Sequence, residues 1–352
     1  MSLIADNAKF SLKNNLIVSA LYLFLSYPLF YYAYKFCLPD FGGQDYYSYY
    51  LMYKDWDFAS TPSPFNMRLI SAFFIFLMNK IGFYYETEIV FTKIYIDADQ
   101  QIFFNAILFN YICVLLTCLV ICRTVLRISS NKLYAFFAGC VYLFGFGTLF
   151  FSLKPISEAC GILLLAIAFY YYLKRSYWIY VLLCFSLFQR EYIFFAFAII
   201  AMIDFYFHRL KYYLVVFSVS VVLFLIYVVM RETFFYTPHF QYQMSFATFA
   251  ESLIAPKVDW LSFIKQSLFL SNILLLYFSV VLYKKINGLN VNRNYLINII
   301  FLFAQVIAMS IIAQFGNNAG RYFYYTTPII IFYLFFELKP LLSSYIHFNN
   351  ND

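Results

Sequence analysis

The chain returns repeatedly to apolar tracts of about twenty residues, the length a helix needs to cross the roughly 30 Å hydrocarbon core of a bilayer. Residues 103–122, "FFNAILFNYICVLLTCLVIC", and 212–230, "YYLVVFSVSVVLFLIYVVM", contain no Asp, Glu, Lys or Arg. A soluble globule carries about a quarter charged residues, but here the share is 12%, against 64% hydrophobic. The reading is all-α: a polytopic helical membrane protein, a single membrane domain over 1–352. The 47 Phe and 36 Tyr suit lipid-facing walls and interfacial belts. The net charge of +7 fits cytoplasmic Lys and Arg, and with no DNA- or RNA-reading motif nucleic acid is not expected as a partner.

Ten spans are expected, at 16–36, 103–122, 133–152, 157–173, 177–188, 191–207, 212–230, 264–283, 294–314 and 322–338. The tract Tyr177–Phe188 reaches only about 18 Å at 1.5 Å per residue, and is taken as a short span paired with its successor. The run Leu69–Met78 is interrupted by Asn79 and Lys80, so 67–84 is expected to lie along the membrane surface. With the N-terminus inside, thirteen of the 24 basic residues fall on the cytoplasmic side and thirteen of the 17 acids outside. That is the asymmetry of the positive-inside rule. Letting 67–84 cross with the N-terminus inside would expel the basic turns at 123–132, 174–175, 209–211 and 284–293. Turning the N-terminus outward as well restores them, and only the shortness of the apolar run disfavours that version. Both termini are expected in the cytoplasm, with the first tract a retained signal-anchor. Outer loops 37–102 and 231–263 are long enough to hold a site. The seven Cys lie mostly in apolar tracts, with neither disulfide-framework nor zinc spacing.

One stretch resists this pattern. "LFQREYIFF" (187–195) sets Arg190 beside Glu191 at the end of the short span, so the turn falls at membrane depth. Charged, irregular backbone is tolerated there only when buried in protein or lining a watery cavity. A polar cavity opening outward is therefore expected; the plainer alternative is a structural Arg190–Glu191 pair. Other polar residues converge on the same side. Asp45 follows Gly42–Gly43 in "FGGQDYYSYY", Arg68 follows Pro62 and Pro64, Lys154 and Glu158 share "LKPISEACG", and Arg321 and Tyr322 sit in "FGNNAGRYFYYTTP" with a kink expected at Pro328. Carboxylates and Arg around one mouth suit a reaction in which a base removes a proton while cations hold an anionic leaving group.

These segments, in this order, resemble the GT-C superfamily of integral-membrane glycosyltransferases. The resemblance rests on an acidic residue soon after the first span (Asp45) and on Pro-rich sequence leading into an Arg-led "jaw" helix, "SPFNMRLISAFFIFLMNKIGF". It rests also on "KPISEA", with Glu158 where Pro-x-Ser-Asp is common, on "QREYIFF", and on "AGRYFYYTTP". It covers nearly the whole chain in layout but only a handful of residues in identity, and the large soluble C-terminal domain that some members carry is not expected here. The resemblance implies a polyprenyl-phosphate sugar donor, a glycan, glycolipid or protein acceptor on the non-cytoplasmic face, and one inverting displacement. By position, Asp45 would be the general base, and Arg68, Arg190 and Arg321 would hold the donor phosphate. Arg suits that task because its planar fork binds phosphate oxygens bidentately. Tyr322 would bond to the phosphate, Glu158 would orient either the acceptor or Arg190, and Glu191 and Lys154 would support the site.

Two Asp-x-Asp strings, Asp55/Asp57 and Asp97/Asp99, have the form of a Mg²⁺ or Mn²⁺ pair, but no supporting ligand stands near either, and no essential metal or other cofactor is expected. Competing readings are a secondary transporter or lipid flippase, an O-antigen-type polymerase or ligase, and a non-catalytic scaffold. The expected location is a bacterial inner membrane with the site facing the periplasm.

Overall fold

The computed structural model describes residues 12–36, 44–86, 99–235, 261, 265, 272–312 and 324–349, and their regular structure is entirely helical. In chain order the α-helices are α1 (Leu12–Lys35), α2 (Gln44–Asp55), α3 (Leu69–Ile81), α4 (Gln100–Ser129), α5 (Lys132–Leu143) and α6 (Glu158–Leu173). They continue as α7 (Trp178–Ser186), α8 (Tyr192–His208), α9 (Lys211–Thr233), α10 (Asn272–Ile286), α11 (Arg293–Ile312) and α12 (Thr327–Asn349).

The boundaries have local causes. Asp99 accepts from the Ile102 N–H at 3.1 Å and so caps α4, and Asn131 caps α5 through the Tyr134 N–H at 3.1 Å. Each satisfies an N–H that has no partner within its own helix. Helix α3 ends at Gly82, whose φ of 81° lies in the left-handed region where a side chain is unfavourable, and the Phe83 N–H closes back on the Met78 carbonyl at 3.2 Å. The start of α3 is held from outside. Its Ile70 N–H donates to the Phe188 carbonyl at 3.3 Å and its Ser71 N–H to Gln189 Oε1 at 3.1 Å. The turn between α7 and α8 therefore serves as the cap of α3.

Helix α4 is the centre of the bundle, packing against α1, α3, α5, α6 and α12. Its most apolar window is 61% buried, against 17% for α1 and 28% for α9, which turn most of their surface outward. Helix α8 pairs with α9 and α11, and α10 with α12.

Three helices among the described residues are long and apolar enough to cross a membrane: Asn15–Lys35, Gln100–Ser129 and Lys211–Thr233. That is short of the ten spans expected. Helices do occupy the other apolar tracts, but Lys132–Leu143, Glu158–Leu173 and Tyr192–His208 are shorter, and α7 is shorter still. Tract 133–152 breaks after Leu143, and one π-helical turn, Thr148–Ser152, fills its second half. Pro328 makes no kink. It is the second residue of α12, where its missing N–H costs no intrahelical bond. The expected surface segment 67–84 carries α3, which buries Ser71, Ala72 and Ile75 and exposes Phe73 and Phe74.

Candidate functional site

Four pieces of chain meet at the end of the bundle where α6 and α8 begin: the N-terminus of α6, the α7–α8 turn, helices α2 and α3, and the start of the last helical segment. Asn110 of α4, fully buried, fixes the first piece by donating to the carbonyls of Lys154 and Ile156, the latter at 2.6 Å. Gln189 ties the α7–α8 turn to it, donating through Nε2 to the Ser157 carbonyl at 2.8 Å. These two amides set the backbone on which Ser157, Glu158 and Arg190 stand.

The side chains form one hydrogen-bonded chain. Arg190 pairs with Glu158 and also donates from Nη2 to Ser157 Oγ at 2.9 Å. Tyr49 Oη lies 2.8 Å from Ser157 Oγ, and Arg68 Nη1 donates to Tyr49 Oη. A guanidinium has only donors and a serine hydroxyl one proton, so with Ser157 donating to Glu158 Oε2 at 3.5 Å, Tyr49 donates to Ser157 while accepting from Arg68. Tyr325 donates to Glu158 Oε1 at 2.8 Å. Every proton therefore points towards one carboxylate, the pattern of an ionised Glu. Burial pushes the Tyr49 phenol above its ordinary value, with Arg68 working against the shift and Asp45 adding to it. Tyr49 thus serves as a neutral donor.

Asp45 stands in the first turn of α2, one helical turn before Tyr49 and half-buried. Residues i and i+4 share a helix face, so Asp45 borders the network that Tyr49 joins. Aromatic rings close the other flank: Tyr192 stacks on Tyr325 at 4.1 Å, and Arg190 lies 5.8 Å over the Tyr325 ring. Arg190 also leans on Gly161, where a Cβ would stand 2.7 Å from Arg190 Cγ and from the Tyr192 hydroxyl. Close approach, not backbone angle, demands glycine there.

Of the expected site residues, the structure brings Arg68, Arg190 and Glu158 into one network, with Asp45 at its border. Lys154 is buried in the loop just before Ser157, its Nζ 5.6 Å over the Phe151 ring. Arg321 and Tyr322 lie outside the described residues. The alternative reading, an Arg190–Glu191 pair, does not form; Arg190 turns to Glu158, while Glu191 accepts from Tyr227 at 3.3 Å. Nor do the described residues show the polar cavity expected to open outward. Arg190 is 3% exposed, Glu158 0% and Arg68 7%, because α2 and α3 lie across this end and fill it with Tyr49 and Arg68. Sequence reasoning missed Tyr49, Ser157, Gln189 and Tyr325. Gln189 and Ser157 were legible as polar residues inside apolar tracts, but nothing marks Tyr49 or Tyr325 among so many tyrosines.

The Asp-x-Asp strings play other parts. Asp57 accepts from the Ser60 N–H at 3.0 Å, and that serine's hydroxyl and N–H hold its carboxyl below the usual range. Asp55 ends α2, Asp99 caps α4, and Asp97 is outside the described residues. Among the described residues no three His, Cys, Asp or Glu gather as a metal-binding group. No protein-family model, curated protein or solved structure matches the chain.

Proposed function

We propose that this chain is an inverting glycosyltransferase of the GT-C type, moving a sugar from a polyprenyl-phosphate donor to an acceptor hydroxyl at the end of the bundle that carries Arg68 and Arg190. The acceptor is a glycan, glycolipid or protein. In this reading the shorter apolar helices cross the bilayer beside the three long ones, giving ten spans with α3 on the surface. The termini are cytoplasmic and the site faces the periplasm of a bacterial inner membrane.

The observation that carries the reading is the pair of buried guanidinium groups joined through Tyr49 and Ser157, one turn from Asp45. Arg68 and Arg190 each keep an Nε–H that has no hydrogen-bond partner. Buried cations with unused donors favour an anionic ligand, since an unsatisfied buried polar group costs about 1–3 kcal/mol. A donor phosphate supplies acceptor oxygens to both. In the transfer, Asp45 takes the proton of the acceptor hydroxyl as its oxygen attacks the anomeric carbon. The bond from that carbon to the phosphate oxygen breaks from the opposite face, and the prenyl phosphate leaves with the electron pair, its charge held by the two Arg. Glu158, bonded to Arg190, Ser157 and Tyr325, acts as the residue that positions Arg190. Arg321 and Tyr322 complete the phosphate contacts, and Glu191 and Lys154 support the site.

The test is Asp45→Asn in purified protein given a panel of prenyl-phosphate sugars. Transfer is expected to fall by about 100- to 10,000-fold, the usual contribution of a general base, with donor-induced thermal stabilisation kept. Undiminished turnover would remove Asp45 from the role. A transporter or flippase is the second reading, favoured by Asp204, a carboxylate buried within α8. Substrate movement into vesicles without any sugar transfer would favour it, and an O-antigen-type polymerase would reveal itself by chain-length growth.

A further inference from the structure

A second buried polar cluster lies at the opposite end of α6 and α8. Asp204 is fourteen positions after Arg190 on one continuous rise, about 21 Å at 1.5 Å per residue, and Tyr172 stands at the same remove from Glu158. Tyr172 Oη donates to Asp204 Oδ2 at 2.5 Å, and Asn294 Nδ2 donates to Asp204 Oδ1 at 2.6 Å. One turn on along α11, Asn298 Nδ2 donates to Tyr333 Oη at 3.1 Å. Asp204 is 7% exposed, Asn294 8% and Asn298 0%.

Three features of this cluster are unusual together. Asp204 makes no ion pair among the described residues, although basic residues are plentiful at this end. Arg175 is engaged on Tyr213 Oη at 3.4 Å, and the His208 ring meets the Asn294 amide at 3.4 Å, not the carboxylate. Second, the carbonyl oxygens of Asn294 and Asn298 are both buried without a hydrogen-bond partner. Third, the neighbours of Asp204 are hard oxygen groups: two amides and two tyrosine hydroxyls. A buried carboxylate that makes no salt bridge, with the His208 ring acting on it only through space, beside two unsatisfied carbonyls, is half of a cation-binding set.

We infer that Asp204, Asn294 and Asn298, with Tyr172 and Tyr333, form a binding site for a small monovalent cation, Na⁺. A carboxamide offers either its NH₂ or its C=O to one neighbour by a half-turn about Cβ–Cγ. In the form described here both amides present NH₂, and Asn294 gives its own to Asp204. With Na⁺ bound they turn over and present the two oxygens that are otherwise unsatisfied. One carboxylate neutralises one positive charge, which selects against Mg²⁺ and Ca²⁺, whose sites gather more acidic oxygens. The site does not depend on the transferase reading.

The experiment is thermal unfolding of the purified full chain in detergent at constant ionic strength, with choline replaced stepwise by Na⁺, and separately by K⁺. The melting temperature is expected to rise saturably with Na⁺, by several degrees more than with K⁺. Asn298→Leu, close to Asn in shape but without the oxygen, is expected to weaken the apparent affinity at least tenfold. Asp204→Asn is expected to abolish the response. A flat Na⁺ response in the unmodified chain would overturn the proposal, whether Asp204 is then protonated or satisfied by its N–H and O–H donors. So would an equal response to Na⁺ and K⁺, and so would a response that survives Asn298→Leu unchanged. The wild-type titration decides the matter even where a variant fails to fold.

Discussion

Glu158 receives Arg190, Ser157 and Tyr325 while fully buried, so its charge matters more than its shape. Glu158→Gln keeps the volume and removes the charge that balances Arg190. Breaking a buried pair by neutralising one partner costs roughly 3–5 kcal/mol. That loss is expected in denaturant unfolding, together with transfer activity reduced more than expression. A variant as stable as the parent would mean that the Arg190 charge is balanced elsewhere. This pairing was beyond a linear reading. Glu191 is covalently next to Arg190 and was the natural partner on paper, yet consecutive residues at a helix start point in different directions. Glu158 lies 32 positions away and reaches Arg190 only because α6 and α8 begin at the same end of the bundle.

At the scale of helices, α2 and α3 lie over that end, and the far end of α3 is tied to α4 by Gln101 Nε2 on the Asn79 carbonyl at 2.9 Å and Asn105 Nδ2 on Asn79 Oδ1 at 2.5 Å. Tyr49 fastens α2 to Ser157 and accepts from Arg68, while Gln189 and the Phe188 carbonyl take the first N–H groups of α3. Tyr49→Phe leaves the ring in its stack on Tyr53, 5.5 Å away, and removes only the hydroxyl. Two buried groups then lose a partner, and unfolding is expected to come about 1–3 kcal/mol earlier. An unchanged midpoint would show that α2 is held by packing alone. The apolar tracts told where the other helices would lie, because a long apolar run has one good use. Helix α2 gave no such signal: "QDYYSYYLMYKD" mixes tyrosines with polar residues and shows no clear 3.6-residue stripe. Likewise Pro328 suggested a kink only because the start of α12 at Thr327 was not visible in the sequence.

Over the whole molecule, α4 organises the bundle, and its interior polar residues Asn105, Asn110 and Thr117 are all fully buried. The turns at 130–131, 174–177, 209–210 and 287–292 carry or flank basic residues and lie opposite the Arg68–Arg190 end. Sidedness can be checked directly. In a chain freed of its own cysteines, Ser60→Cys is expected to react with a membrane-impermeant maleimide from the periplasmic side. Asn131→Cys and Asn287→Cys, all three positions being exposed, are expected to react only after the membrane is opened. The reverse pattern would invert the topology and put the proposed transfer in the cytoplasm.

The brevity of α7 bears on how the proposed lipid donor would reach this chain. A nine-residue helix rises about 13.5 Å, under half of a bilayer core of about 30 Å, yet Tyr177, Val181 and Phe185 face outward along it. If α7 crosses the bilayer as the ten-span proposal has it, lipids against that flank must thin and dip to cover it. On the proposed function, such a dimple would carry headgroups down towards the level of Arg190, and a prenyl-linked phosphate would arrive sideways from the leaflet without being lifted into water.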